Sequence, residues 1–213
     1  MLTIKTFQVG LIGENCYVIS DSTNEAVIID CGCFAESEWK NIRRYLDDNG
    51  LKVVRMLNTH FHFDHMMGII FAYPDLKIPF DGNYADEYLY KSLNSQIQSF
   101  LGIDMGCDNL PPMGKNMSEG TEVTFGEHTF TVLQTPGHTP GGVCYYCKEE
   151  NVLFSGDTLF QCSMGRTDLP GGNGHEMSAS LRRLSTLPRE TRVYPGHGGW
   201  TEIGYECDNN PYF

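Results

Sequence analysis

The order of apolar and polar residues in the first third of the chain predicts strands and one helix. Four short runs are either continuously apolar or alternate with polar residues, as strands do: 3–9, 16–20, 26–30 and 53–57. Between the third and fourth runs, Trp39, Ile42 and Leu46 recur at helical spacing, and Gly50 follows as a stop signal. This part of the chain therefore predicts three strands, a helix over 36–48 and a fourth strand.

The rest of the chain continues with strands and helices. Strand-like runs are found at 122–125, 128–133, 143–147, 151–155 and 192–194. Spacing and composition predict helices over 66–72, 83–101 and 176–187. The segments 73–82 and 102–118 read as loops, and we expect them to shape a ligand pocket. Interspersed strands and helices in both halves predict a single α/β domain over 1–213, with two sheets and helices outside them.

Composition narrows the class of protein. Of the 213 residues, 40% are hydrophobic, which is enough for a core and excludes disorder as the main state. The formal charge is −12 and no basic cluster exceeds a pair such as Arg43-Arg44, so we expect no nucleic-acid partner. No apolar run approaches the ~20 residues of a membrane span, and the start of the chain lacks an export signal. We expect a cytoplasmic protein with no membrane partner, and its oligomeric state is left open.

Eight cysteines are present, and we expect them to be reduced thiols that mostly fill the core. A domain of this size with its own core does not need disulfides, and nothing in the sequence directs it to an oxidising compartment. Cys144 and Cys147 have CxxC spacing, but they lie in a predicted strand, where residues three apart point to opposite faces. Cys31 and Cys33 could share a face, but no second pair is spaced to complete a zinc site with them.

The histidines indicate a metal site. Three of the seven lie in the string THFHFDH, residues 59–65, directly after a predicted strand. Residues 60, 62 and 64 of an extended segment point to one side, and a helix starting near Asp64 would turn His65 toward the same place. His138, Asp157 and His197 each follow another strand-like run. Imidazole and carboxylate groups bind zinc and iron, and α/β folds build sites at the carboxyl ends of strands.

Four motifs carry a family resemblance. THFHFDH, TPGHTPG, SGDTLF and YPGHG, spread in this order over residues 59–198, resemble the successive motifs of the metallo-β-lactamase superfamily. Within that superfamily they are most similar to the glyoxalase II branch, and in particular to its short, single-domain hydrolases. The resemblance implies an α/β fold of the αββα sandwich type, with two mixed β-sheets flanked by helices, in agreement with the apolar pattern.

The resemblance also implies roles for individual residues around two divalent metal ions, expected to be zinc, with iron or manganese as alternatives. His60, His62 and His138 would bind the first ion. Asp64, His65 and His197 would bind the second, and Asp157 would bridge the two. Asp64 would in addition be the catalytic residue that orients a hydroxide shared by the two ions.

The implied substrate is a small-molecule thioester resembling S-lactoylglutathione, cleaved by the metal-bridging hydroxide. Full-length glyoxalase II enzymes carry a glutathione-binding domain after the last metal histidine, whereas only 16 residues follow His197 here. We therefore expect no such domain, and a different thioester stays open as the substrate. Arg166 could bind a substrate carboxylate, or it could pair with a nearby acidic side chain.

Other functions are compatible with the same motifs. Persulfide dioxygenases share this fold and use one iron, held by residues that correspond to His60, His138 and Asp157. β-Lactamase activity and a non-catalytic metal-binding module are weaker alternatives. The two histidines outside the motifs are expected to be structural: His128 as a hairpin side chain and His175 at the start of a helix.

Overall fold

Two β-sheets packed face to face form the centre of the molecule in a computed structural model that describes Met1–Phe213. The strands are β1 (Thr3–Val9), β2 (Glu14–Ser20), β3 (Glu25–Ile29), β4 (Lys52–Leu57), β5 (Phe80–Asp81), β6 (Glu122–Phe125), β7 (His128–Gln134), β8 (Val143–Cys147), β9 (Val152–Gly156), β10 (Leu159–Phe160), β11 (Ser163–Met164), β12 (Arg192–Pro195) and β13 (Thr201–Glu202). The α-helices are α1 (Glu36–Asp48), α2 (Phe63–Met66), α3 (Ile69–Leu76), α4 (Glu87–Lys91), α5 (Leu93–Leu101), α6 (Gly174–Leu184) and α7 (Ile203–Asn209). None of the helices is both long and apolar enough to span a bilayer.

Both large sheets are mixed. The first has the strand order β1-β2-β3-β4-β5, antiparallel up to β3 and parallel from β3 to β5. The second has the order β13-β12-β9-β8-β7-β6, in which only β12 and β9 run parallel. Strands β10 and β11 form a separate short hairpin.

Neighbouring residues of the central strands enter different apolar cores, as a strand buried on both faces requires. Between the sheets, Ile19 of β2 packs in one cluster with Phe130 and Phe154 of the second sheet. Val18, next to Ile19, belongs to a cluster with the helices on the outer face of the first sheet. A third cluster joins Leu181 of α6 to the outer face of the second sheet. This order of helix, sheet, sheet and helix is the αββα sandwich, and the predicted fold class is confirmed.

The helix predicted over 83–101 is interrupted. A 3₁₀ turn (Tyr84–Asp86) leads into α4, and α5 begins only after Ser92. The carbonyl of Leu89 accepts hydrogen bonds from the backbone and hydroxyl of Ser92 and from the side-chain amide of Gln96, instead of a helical bond four residues on. Side chains thus satisfy the backbone at the break, which spacing alone does not reveal.

The helix predicted over 66–72 is also two elements, α2 and α3, with Gly68 between them. The N–H of Gly68 donates to the carbonyl of Cys31, and a Cβ at Gly68 would lie 2.6 Å from that oxygen. This close approach holds the segment around α2, which includes the end of the string THFHFDH, against the end of β3. It also separates the two helices.

All eight cysteines are unpaired thiols in this fold. Cys144 belongs to the core beneath α6, whereas Cys147 belongs to the core between the sheets, so the two sulfurs lie on opposite faces of β8. The strand argument against a disulfide in the CxxC sequence is confirmed at this position.

Candidate metal centre

Loops from both sheets bring the motif residues together at one edge of the sandwich. The segment after β4 in the first sheet carries His60, His62, Asp64 and His65. In the second sheet, the segments after β7, β9 and β12 carry His138, Asp157 and His197. Because these strands end at the same edge, side chains far apart in sequence meet in one cluster, as expected for α/β folds. All seven predicted metal residues lie in this cluster.

The first half of the cluster consists of His60, His62 and His138. Their candidate ligand atoms lie within 4.8 Å of one another. His62 Nδ1 is 2.9 Å from His138 Nε2. His60 Nε2 is buried and has no hydrogen-bond partner. Three nitrogens therefore face one small volume, as three imidazole ligands of a single cation would.

The second half consists of Asp64, His65 and His197, and Asp157 lies between the two halves. Asp64 Oδ2 is 3.2 Å from His197 Nε2 and 3.5 Å from His65 Nε2. Asp157 Oδ1 is 3.4 Å from His65 Nε2, and its other oxygen is 3.5 Å from His138 Nε2. Because Asp157 Oδ2 also lies 3.8 Å from His197 Nε2, the carboxylate contacts ligand atoms of both halves, as expected of a bridging group.

Unpaired atoms show that this donor set fits a pair of cations. His60 Nε2, His65 Nε2 and Asp157 Oδ1 are all buried without a hydrogen-bond partner. Buried polar atoms in native proteins are almost always bonded, so a cluster of three such atoms calls for a partner. Imidazole nitrogen and carboxylate oxygen are the ligands that zinc and iron share. The residues present therefore suit two divalent cations.

Charge at the centre also favours a cation. Burial lowers the pKa of His62 to about 4, assisted by the neighbouring His138, and burial and nearby imidazoles likewise lower the pKa of His60. Both rings are thus neutral, with a free lone pair, at neutral pH. Burial opposes charge on His65 and Asp157, yet Asp64 and Asp157 raise the pKa of His65, and His65 in turn lowers the pKa of Asp157. Positive charge is therefore stabilised beside these carboxylates.

Asp30 supports the cluster from beneath, and the sequence pattern did not reveal it. Its carboxylate accepts hydrogen bonds from the backbone N–H and the hydroxyl of Thr59, both at 2.7 Å, and lies 3.0 Å from His65 Nδ1. Thr59 Oγ1 in turn lies 3.1 Å from His60 Nδ1. A carboxylate on the far nitrogen fixes the tautomer and ring orientation of a metal-binding histidine. The only signal in the sequence was an acidic residue at the end of a predicted strand.

Arg166 contributes mainly through its backbone. Its carbonyl lies 2.7 Å from His138 Nδ1, which orients that ring. Its exposed guanidinium pairs with Asp168 through two contacts of 2.7 and 2.8 Å. The neighbouring Gly165 passes so close to Asp157 that a Cβ would lie 1.8 Å from the Asp157 carbonyl oxygen. These contacts favour pairing with an acidic side chain, and not binding of a substrate carboxylate, as the role of the Arg166 side chain.

Asn15 holds the loop that carries His197, and it too lies outside the motifs. Its side-chain amide donates to the carbonyls of Pro195 at 3.0 Å and Gly198 at 2.9 Å, one on each side of His197. The hydroxyl of Tyr17 donates to the same Pro195 carbonyl at 2.6 Å. Strand β2 of the first sheet thereby positions a metal candidate that belongs to the second sheet.

A cavity of about 330 Å³ opens over the cluster. It is lined by His62, Asp64, His138, Asp157, Arg166 and His197 together with the apolar side chains of Ile12, Phe63, Phe100, Leu101 and Leu169. The segments 73–82 and 102–118, which we expected to shape the pocket, do not line it. The end of α5 takes that place through Phe100 and Leu101, and Gln96 of this helix is hydrogen-bonded to the metal motif.

The two remaining histidines lie away from the cluster. His128 begins β7 in the β6–β7 hairpin and contacts Asp21 and Glu150. His175 is exposed in the first turn of α6. Both positions agree with the structural roles predicted for them.

The fold and the cluster together define a class of protein. A family model described as the metallo-beta-lactamase superfamily matches residues 9–197, and the chain belongs to this superfamily. It is thus a member of a metallo-hydrolase superfamily whose dinuclear metal sites are built from histidine and aspartate.

Two relatives match nearly the whole chain. An uncharacterized protein of Aquifex aeolicus is 38% identical over 213 residues, covering 99% of this chain and 97% of its own length. Hydroxyacylglutathione hydrolase GloC of Haemophilus influenzae is 35% identical over 213 residues, covering 99% and 98%.

Solved structures agree with this assignment. BLEG-1, described as a B3 metallo-beta-lactamase, has a TM-score of 0.89 and 35% identity over 99% of both chains. TTHA1623 in a di-iron-bound form has a TM-score of 0.86 and 35% identity, covering 98% of this chain and all of that one. ETHE1 from Myxococcus xanthus has a TM-score of 0.78 and 26% identity, covering 98% and 83%.

Proposed function

We propose that this protein is a metal-dependent hydrolase of thioesters related to S-lactoylglutathione. The observation that supports this proposal most strongly is the complete cluster. Its two sets of ligand atoms meet at Asp157, and buried atoms of both sets lack a hydrogen-bond partner. The proposed metal residues are His60, His62, Asp64, His65, His138, Asp157 and His197. The similarity to GloC, named a hydroxyacylglutathione hydrolase, supports the proposed substrate class. Zinc is the proposed metal, with iron or manganese as alternatives, since a similar structure is di-iron-bound.

Two divalent cations in this cluster would polarise the substrate carbonyl and lower the pKa of water toward ~7. The chain's own groups then have separate tasks. Asp64 contacts His197 through Oδ2 only, which leaves Oδ1 to accept a proton from the attacking water. Asp30 and the Arg166 carbonyl hold the rings of His65 and His138 in place, so that the cluster does not reorganise during the reaction.

The leaving group is best assigned as a thiolate. Apart from the cluster itself, the cavity is lined by apolar side chains and Arg166, whose pKa is raised by its pairing with Asp168. No lysine, tyrosine, serine or cysteine lines the cavity, so only groups of the cluster itself, such as Asp64 after it has taken a proton from water, could protonate a departing nitrogen. A thiolate departs without such help, because free thiols have pKa values near ~8.5. A thioester thus needs no proton donor from the lining, whereas an amide would need Asp64 to return its proton.

The test compares the wild type with Asp64→Asn and Asp157→Ala after loading with zinc or iron. We expect two cations per chain and cleavage of S-lactoylglutathione in the wild type. Asp157→Ala removes the bridge, so turnover should fall by at least ~10²-fold, the low end for loss of one well-placed electrostatic stabiliser. Asp64→Asn should release the second cation first. Asp48→Asn, the same chemical change at an exposed position at the end of α1, far along the chain from the cluster, should behave as the wild type.

The same measurements test the dioxygenase alternative. A one-iron enzyme would hold its metal through His60, His138 and Asp157, and Asp64→Asn would leave one iron per chain. Oxygen uptake with a persulfide and no thioester cleavage in the wild type would contradict the hydrolase proposal. Cytoplasmic location and a single domain over 1–213 stay predictions.

A further inference from the structure

One wall of the cavity is apolar, and the proposed reaction does not account for it. Ile12 and Phe100 line the cavity although 56% and 51% of their surfaces are exposed. Leu101, Leu169 and Phe63 of the metal motif also line the cavity, and these five apolar side chains together are called its apolar wall. Large apolar side chains left exposed together at the mouth of a site mark a binding surface more often than a chance grouping.

The wall is held rigidly against the metal motif. The side-chain amide of Gln96 accepts from the N–H of Phe63 at 3.1 Å and donates to the carbonyl of Phe61 at 3.1 Å. This fixes α5 on the segment that carries His60 and His62. Phe100, one turn further along α5, stacks on Phe63 with ring centroids 5.3 Å apart. An apolar group bound here would meet a prearranged surface at the reacting carbonyl.

No free positive side chain accompanies this wall. Arg166 is the only lysine or arginine that lines the cavity, and Asp168 occupies its guanidinium through two contacts. The chain as a whole carries a formal charge of −12. The carboxylates of a glutathione moiety would therefore find no unpaired cationic side chain along the cavity.

We infer that the cavity selects thioesters whose acyl group is an uncharged alkyl chain longer than the lactoyl group, seated on Ile12, Phe100, Leu101 and Leu169. This inference rests on the proposed thioester hydrolysis and specifies its substrate class. Fully burying a methylene improves binding roughly fourfold. On a half-exposed wall we expect about twofold per methylene, or roughly 15-fold in kcat/KM from an acetyl to a hexanoyl group.

The experiment uses the zinc-loaded full chain and uncharged thioesters of N-acetylcysteamine with acetyl, butanoyl and hexanoyl groups. The wild type should show the rise in kcat/KM with chain length and should prefer the hexanoyl ester to S-lactoylglutathione. Ile12→Ser and Phe100→Ala should flatten the rise and leave the acetyl ester nearly unaffected. Leu11→Ser is the matched control, because Leu11 is 61% exposed and adjacent to Ile12 but does not line the cavity.

A second measurement separates this inference from the proposed function. The thioethers S-methyl- and S-hexyl-N-acetylcysteamine cannot be hydrolysed, and calorimetry gives their affinities without turnover. We expect the hexyl compound to bind at least about tenfold more tightly, and Ile12→Ser to remove the difference. Thioester cleavage with equal rates for all chain lengths, or with S-lactoylglutathione preferred, would overturn the inference alone. Tighter hexyl binding with no cleavage of any thioester would overturn the proposed function and leave the apolar site in place.

Discussion

Single hydrogen bonds decide which nitrogen His65 and His138 present to the centre of the cluster. Asp30 Oδ2 lies 3.0 Å from His65 Nδ1, so Nδ1–H donates a hydrogen bond to the carboxylate and Nε2 faces the centre. The Arg166 carbonyl, at 2.7 Å, does the same for His138 Nδ1 and leaves its Nε2 free. Partners of this kind raise the basicity of the ligand as well as fixing its orientation. The cluster therefore depends on residues that have no contact with its centre.

Replacing Asp30 with Asn tests this dependence. An amide NH₂ facing His65 Nδ1 would force the ring proton onto Nε2, the atom that faces the centre. We expect the affinity for the second cation to fall by 10- to 100-fold, as is typical for loss of such a partner. Competition with a chelating dye measures the affinity of each site. Exposed Asp48→Asn is the control, and two cations bound with wild-type affinity in Asp30→Asn would contradict the assignment.

His128 makes a second, purely structural prediction. It lies 2.9 Å from Asp21 and 3.0 Å from Glu150, which also contacts the N-terminal ammonium of Met1. Burial alone would lower the pKa of His128, but the hydrogen bonds to Asp21 and Glu150 outweigh burial and raise it. A raised pKa in the folded state stabilises the protein fully below the unfolded value of about 6.5, and this contribution is lost as the pH rises through the folded value.

The corresponding variant is His128→Gln, with the exposed His175→Gln as its control. We expect His128→Gln to lower the thermal midpoint more at pH 6 than at pH 9, whereas His175→Gln should have little effect at either pH. Titration of the His128 ring by NMR should give a folded-state pKa above 6.5. An equal loss of stability at both pH values would show that packing, and not charge, accounts for the effect.

At the scale of elements, periodicity predicted the long strands and the first helix to within about two residues. The strand expected at 26–30 is β3 (Glu25–Ile29), and the helix expected at 36–48 is α1 with the same bounds. The misses have local causes. Two-residue strands such as β5 are too short to show a period. The split between α4 and α5 depends on side-chain bonds of Ser92 and Gln96, which propensity does not register.

The metal residues could be predicted from the sequence because some are close together in the chain and others follow a Pro-Gly dipeptide. The residues that hold them in place could not be predicted. Asn15 reaches the His197 loop across 180 positions and across two sheets, so only the folded chain shows the contact. The apolar wall was hidden for the same reason, since Ile12 and Phe100 come together only when β2 and α5 are in place.

Asn15→Ala tests whether strand β2 positions the His197 loop. The variant loses both side-chain hydrogen bonds to the carbonyls that flank His197. We therefore expect the second cation to bind about tenfold more weakly and the first to be unaffected. Tyr17→Phe removes only one hydrogen bond, to the Pro195 carbonyl that Asn15 also reaches, and should have a smaller effect. Metal titration with thermal unfolding separates the two roles. A loss of stability with unchanged metal affinity would show that Asn15 is only structural.

At the scale of the whole molecule, the cluster is where the two sheets are joined through polar groups. Asp64 and His65 belong to the first sheet's loops, and Asp157 and His197 to the second's. Across the sheets, Asp64 lies 3.2 Å from His197, and His65 lies 3.4 Å from Asp157. Between the sheets lies an apolar core, and further polar bonds from Asn15, Tyr17 and Asp21 cross at its margins. Cations bound across the cluster would connect the sheets by directed bonds at the edge where the core ends.

Removal of metal should therefore lower the stability of the entire fold. A ligand present at 1,000 times its dissociation constant stabilises the native state by about 4 kcal/mol. For a domain of this size, each kcal/mol shifts the thermal midpoint by roughly 2–4 °C. We expect dialysis against EDTA to lower the midpoint by roughly 8–16 °C, and zinc to restore it. His62→Ala has one incomplete set of ligands, so its thermal midpoint should be lower than that of the wild type before chelation and should fall less on EDTA treatment. Its unfolding should stay cooperative, because its apolar cores are intact. An EDTA-treated wild type with an unchanged midpoint and no bound metal would show that the cations do not join the sheets.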